Sequence, residues 1–211
     1  IHCVNLTSLT LHLSGVQGQS LTNMINFPLL KKLSLKQTSL TSLHTIQPTS
    51  EPPPCLDNLE KLILSSSYGP YDVNYYQRFL SQAKNLKHLA LEFTLDELNI
   101  LTKDPLPFSL ESLNVNILTI FDSWSDSENL AGFIQGQRNL KNFSLVLNKN
   151  YSQVLDPLMK AIYSLESLEK FRLETGVSVQ DLQEMNWNEF LMMIERLKKI
   201  ELDIAFYKIS S

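Results

Sequence analysis

The sequence predicts an α/β solenoid of about eight repeats, with parallel strands on a concave side and mostly helices on the convex side. Three observations carry that expectation. A phrase with leucines at relative positions 1, 4 and 6 recurs along the whole chain, as in Asn85-Leu86-Lys87-His88-Leu89-Ala90-Leu91. Its leading leucines, Leu6, Leu30, Leu59, Leu86, Leu110, Leu140, Leu168 and Leu197, are spaced by 24, 29, 27, 24, 30, 28 and 29 residues. The segments between phrases exceed the dozen residues that a parallel crossover needs.

Each phrase reads as a turn feeding a strand. Side chains alternate across a strand, so positions 4 and 6 face one way and the residues between them the other. Several phrases extend the alternation by a step, as in Leu9-Leu11-Leu13, Leu89-Leu91-Phe93, Leu113-Val115-Ile117, Phe143-Leu145-Leu147 and Ile200-Leu202-Ile204. Most connections read as amphipathic helices. Asp72 can cap one bearing Val73, Tyr76, Phe79, Leu80 and Ala83, and Asp126 or Ser127 can start another with Leu130, Phe133 and Ile134. Ser152 precedes a stripe of Leu155, Leu158, Met159 and Ile162, with Pro157 close enough to the start to be tolerated or to delay the helix. Further helices are expected around 21–25, 95–101, 182–185 and 190–194. The stretch 48–55, with Glu51-Pro52-Pro53-Pro54, reads instead as an irregular stiff spacer.

Composition bounds the function. Of 211 residues, 43% are apolar and 19% charged, as in a folded chain rather than a disordered one. A formal net charge of −4 lacks the basic excess expected of a nucleic-acid or anionic-membrane binder, so neither is expected as a partner. No apolar run approaches a membrane span, and no signal-peptide pattern opens the chain. Cys3 and Cys55 form no terminal cluster, which favours reduced thiols and an intracellular, cytoplasmic or nuclear, location. Three sequons, at Asn5, Asn142 and Asn150, pull the other way, but Asn5 and Asn142 lie in or beside expected strands. The chain starts and stops close to strand phrases, so residues 1–211 are expected to form one solenoid taken from a longer array, its first strand exposed at the edge.

The repeat resembles the leucine-rich-repeat superfamily over essentially the whole chain. Its helical connections and uneven units are most similar to the ribonuclease-inhibitor-like and F-box-receptor-like subclasses. The family's ninth position usually carries Asn or Cys. Here it carries Ser14, Thr38, Ser67, Thr94, Leu118, Asn148, Gly176 and Ala205, which favours an uneven, flatter arc. The resemblance implies a non-catalytic module that binds a protein, either as substrate recognition for a ubiquitin-ligase receptor or as the ligand-sensing or autoinhibitory domain of a nucleotide-binding innate-immune-type receptor.

The residues themselves also argue against chemistry. His2, His12, His44 and His88 fall in different units with no ligand spacing to Cys or Asp, so no metal site is expected. No phosphate-cradling glycine loop or nucleophile elbow occurs, so neither enzyme activity nor a cofactor is expected. The acidic pairs Asp96-Glu97 and Asp126-Glu128 fall at expected helix starts, where carboxylates complement the dipole.

The concave face is the candidate site. Its first outward column is Ser8, Lys32, Lys61, His88, Ser112, Asn142, Lys170 and Lys199. The second is Thr10, Ser34, Ile63, Ala90, Asn114, Ser144, Arg172 and Glu201, and the third His12, Lys36, Ser65, Glu92, Asn116, Val146, Glu174 and Asp203. A solvated face gains nothing from Ile63, Ala90 or Val146, and isolated apolar contacts in a polar field suit a protein partner. Hot spots sit away from the wet rim. The expected partner-binding cluster is therefore Lys61, Ile63, His88, Ala90, Glu92, Asn114 and Asn116, with Asn142, Ser144, Lys170 and Arg172 beside it. Gln77 and Gln137 are expected on the convex side, away from it.

Overall fold

A repeating backbone bond joins each unit to the next. In a computed structural model of the chain, the carbonyl of Thr7 accepts from the amides of both Lys31 and Lys32, at 2.9 and 3.0 Å. The carbonyls of Lys31, Glu60, Lys87, Glu111, Lys141 and Glu169 each accept in the same way from two successive amides one unit on. Just before it, the leading leucine's amide closes a turn onto the carbonyl three residues back, as in Leu30 to Phe27 and Leu86 to Ala83. The structure describes residues 5–14, 27–39, 54–66, 77, 80–118, 127–147, 152–177 and 187–206.

These bonds feed eight parallel strands in one sheet, paired in chain order. They are β1 (Ser8–Ser14), β2 (Lys32–Ser39), β3 (Lys61–Ser66), β4 (His88–Phe93), β5 (Ser112–Ile117), β6 (Asn142–Leu147), β7 (Lys170–Val177) and β8 (Lys199–Phe206). The register follows the three outward columns, Ser8 opposite Lys32, Lys61 opposite His88, and Ser112 opposite Asn142. Parallel strands with helices between, each packed on its sequence neighbour, are consistent with a solenoid.

Four helices of eight residues or more lie among the described residues: α1 (Leu95–Thr102), α2 (Glu128–Gly136), α3 (Ser152–Tyr163) and α4 (Trp187–Arg196). Residues 77 and 80–82 are helical too. The proposed cap at Asp72 and the segments 21–25 and 182–185 lie outside the described residues. So does most of the proline stretch, but Pro54 opens a 3-10 helix, Pro54–Asn58, where an irregular spacer was expected. A proline suits a first helical position because its missing N–H would have no intrahelical partner there. Pro157 neither delays nor ends α3, which runs through it from Ser152.

Strand and helix leucines share one apolar core, in which Leu33, Leu62, Leu113, Leu145, Leu130, Ile134 and Leu158 are essentially inaccessible. Each such side chain contributes about 1.5–3 kcal/mol over an exposed one. Phe143 and Phe171 take two of the leucine positions on adjacent strands and stack with centroids 6.0 Å apart. Leu9 and Leu11 on β1 are only partly buried, unlike Leu33 and Leu35 beside them.

Two buried amides carry polar contacts between units. Asn99 on α1 accepts from the Leu130 amide at 3.3 Å. It thereby caps α2, whose own N-cap residue Ser127 makes no side-chain cap bond. Gln137 is 5% exposed, and its Oε1 accepts from the Leu110 amide at 2.9 Å. That corrects its expected place on the outer surface: a lone amide acceptor inside the core is held because Leu110 would otherwise leave a buried donor unpaired.

Candidate functional site: the strand face opposite the helices

Because strand leucines turn toward the helices, the intervening residues form the sheet's other face. All eleven residues of the expected cluster lie on it, on β3 to β7. Lys61 is exposed opposite a half-buried His88, and Ile63 is half-buried with Ser34 on one side and Ala90 on the other. Asn114 is exposed between Ala90 and Ser144. Asn142 and Ser144 are half-buried opposite the exposed Lys170 and Arg172. The strands are about 4.8 Å apart, so Lys61 and Arg172 stand roughly 19 Å from each other. The cluster is one continuous surface rather than one pocket.

Glu92 organises the middle of it. Ser65 Oγ donates to Glu92 Oε2 at 2.5 Å, and Asn116 Nδ2 donates to Oε1 at 3.4 Å. Three adjacent strands thus share one partly buried carboxylate.

Toward β8 the charges pair within their own strands. Arg172 holds Glu174 at 2.8 Å, and Lys199 holds Glu201 at 2.6 Å. The hydrogen bond and charge of Lys199, with Arg172 adding to them, keep the Glu201 carboxyl below its ordinary value.

Toward β1 the face is different, and sequence reasoning passed it over. Ser34 is only 7% exposed, and its Oγ has no hydrogen-bond partner among the described residues. It lies between Lys32 and Lys36 along β2, with Thr10 and Ile63 across the ladder. Lys32, Lys36 and Lys61 are exposed, and none forms an ion pair among the described residues. All of these residues were in the outward columns. The missing signal was burial, since a serine beside lysines looks solvated until its hydroxyl is found enclosed.

A second feature runs along the edge where the strands begin. From Leu30 onward the residue after each leading leucine alternates in sign from unit to unit, Lys31, Glu60, Lys87, Glu111, Lys141, Glu169 and Lys198. Lys31 meets Glu60 at 3.1 Å and Lys198 meets Glu169 at 3.0 Å. The lysine hydrogen bonds come first among the effects that hold both carboxyls below their ordinary value. One residue before the leading leucine, asparagines tie neighbouring turns. Asn58 Nδ2 donates to the Pro28 carbonyl at 2.8 Å and Asn85 Nδ2 to the Asp57 carbonyl at 2.6 Å.

Away from this face, Gly132, Gln135, Gly136, Arg138 and Glu166 help to line an open groove of about 570 Å³ beside α2. Glu97 closes a capping box with Thr94 at the start of α1, and burial pushes its carboxyl above the ordinary value despite those bonds. Among the described residues no three His, Cys, Asp or Glu side chains gather as metal ligands, and no helix is long and apolar enough to cross a membrane. His2, His44 and Asn150 lie outside the described residues. No family model matches the chain, and no curated protein sequence does either.

Proposed function

We propose that the chain is a leucine-rich-repeat solenoid that binds a protein partner on the concave, strand-lined face and does no chemistry of its own. The version we carry forward is substrate recognition within a ubiquitin-ligase receptor, whose uneven helical repeats the unit spacings of 24–30 residues resemble. The observation that supports a binding face is the half-burial of Ile63, Ala90 and Val146 in an otherwise polar sheet surface. Apolar atoms held at the centre of a rigid polar face are an interface pattern, and a sheet presents them at little ordering cost.

The test is affinity capture from a cell extract, followed by titration of the purified captured protein against variants of the full chain. Ile63→Asp with Arg172→Glu should weaken binding by about 30-fold or more, the scale of a hot-spot loss. Gln135→Lys with Asn188→Lys, exposed positions on α2 and α4, should leave it unchanged. Binding that survives the first pair and is lost with the second would place the partner on the helices instead.

A further inference from the structure

We infer that the β1–β3 end of this face receives an acidic segment of the partner, an Asp- or Glu-rich stretch with one carboxylate seated on Ser34 between Lys32, Lys36 and Lys61. The inference rests on the sheet face being the binding surface and adds the chemistry of what binds there.

Four observations converge on it. The outward positions of β1, β2 and β3 hold three lysines and no carboxylate. Glu92 on the next strand and Glu60 beside Lys61 in the chain are already engaged, Glu92 by Ser65 and Asn116, and Glu60 by Lys31. Ser34 Oγ is enclosed without a partner, and a buried polar group left unpaired costs about 1–3 kcal/mol. Positions two apart on a strand are separated by about 7 Å and neighbouring strands by about 4.8 Å. Lys32, Lys36 and Lys61 therefore surround that hydroxyl within reach of a single bound side chain.

A serine hydroxyl can donate or accept, and its surroundings decide which. Three ammonium groups make an incoming cation unfavourable and an incoming acceptor favourable. A carboxylate supplies what the site lacks: it accepts from Ser34 Oγ and takes charge-assisted bonds from the lysines. Ile63, half-buried beside Ser34, offers an apolar contact for the side chain's methylenes. A peptide is favoured over a nucleic acid because the cations form one compact group in a chain of net charge −4, not a track along a backbone.

The test uses the full chain and three probes, a short Glu-rich peptide, the same peptide with Gln in place of Glu, and a short single-stranded oligonucleotide. The Glu peptide should bind, weaken as salt is raised, and exceed the Gln peptide by about tenfold or more. Lys32→Glu with Lys61→Glu should remove that preference, whereas Lys103→Glu, at the exposed end of α1, should not. Ser34→Ala should cost binding severalfold while leaving the Tm of the free chain undiminished, because the hydroxyl has no partner to lose. Equal binding of the two peptides, tighter binding of the oligonucleotide, or a Ser34→Ala chain that is itself destabilised would each overturn the inference. If peptide preference is absent while partner capture still depends on Ile63 and Arg172, the acidic segment is wrong and the binding face stands. If the preference is present while capture depends only on Gln135 and Asn188, the acid site stands and the binding face is wrong.

Discussion

Each end of the strand face carries three Lys or Arg side chains, and the two ends differ in what those side chains meet. On β1–β3 the outward columns carry three lysines with no acid among them, around a buried hydroxyl without a partner. On β7–β8 they carry Lys170, Arg172 and Lys199 with Glu174, Glu201 and Asp203, and Arg172 and Lys199 are paired along their own strands. A cation already held by a carboxylate must give up that bond before it can hold a ligand, so it contributes little net binding. The number of lysines on a surface is therefore a poor guide to its affinity. What matters is how many are left without a partner by the fold.

The largest expected effect tests whether the ends differ in their cores as well. Leu33 on β2 and Leu173 on β7 are each 1% exposed. Leu33→Ala and Leu173→Ala should each cost about 2–5 kcal/mol in urea unfolding. Similar losses would confine the difference between the ends to their outer faces, and a much smaller loss at Leu33 would extend it into the core.

Between the two ends the units depend on the Gln137 acceptor. Gln137→Leu keeps an apolar core but leaves the Leu110 amide buried and unpaired. It should cost about 1–3 kcal/mol in the same measurement.

Releasing the paired cations should convert one end toward the other. Glu174→Gln with Glu201→Gln leaves Lys170, Arg172 and Lys199 without those carboxylates. The Glu-rich peptide should then bind β7–β8 as well, with a rise in stoichiometry measurable by calorimetry. No added binding would mean that the buried hydroxyl on β2, rather than free cations, makes the difference.

Gly132 gives a control away from both ends. A Cβ built there meets nothing within 4 Å, and the residue sits inside α2. Gly132→Ala should stabilise the chain by about 0.5–1 kcal/mol, read from the shift in the urea midpoint, with peptide binding at either end unchanged.

The smallest effect is in pH, and its sign divides the carboxylates. The lowered values of Glu60, Glu169 and Glu201 give stability that is present above the unfolded value and lost as pH falls through their folded values. Glu97 is raised by burial, so the native state binds the extra proton and the sign reverses. Its contribution is complete below the ordinary value of 4.5 and lost as pH rises through the raised one. Urea titrations across that window should show Glu97→Gln flattening the decline with rising pH, and Glu201→Gln weakening the decline toward acid.

Particular residues show how much of this was legible. The leucine spacing located all eight strands, and the three outward columns coincide with the observed register, because a period of two leaves an apolar strand one way to face its core. Stripes such as Leu130, Phe133 and Ile134 marked the helices for a similar reason, though Pro54 opens a 3-10 helix in a stretch read as an irregular spacer, while Pro157 is tolerated inside α3, one of the two outcomes its position allowed. The alternating Lys31-to-Lys198 edge was also present in the letters, but it has meaning only once those residues are known to stack.

The sequence by itself determined the order of elements, their direction and which side chains meet the core, since these follow from periodic burial of leucines. Tertiary structure alone decided which polar groups acquire partners. Asn99 caps a helix 31 residues away, Gln137 reaches an amide 27 residues back, Arg172 turns to Glu174 along its strand, and Ser34 is enclosed with no hydrogen-bond partner among the described residues. Apolar burial is non-directional and tolerates a pattern, whereas a hydrogen bond needs one donor and one acceptor within about 3 Å, at an angle that only the folded packing sets.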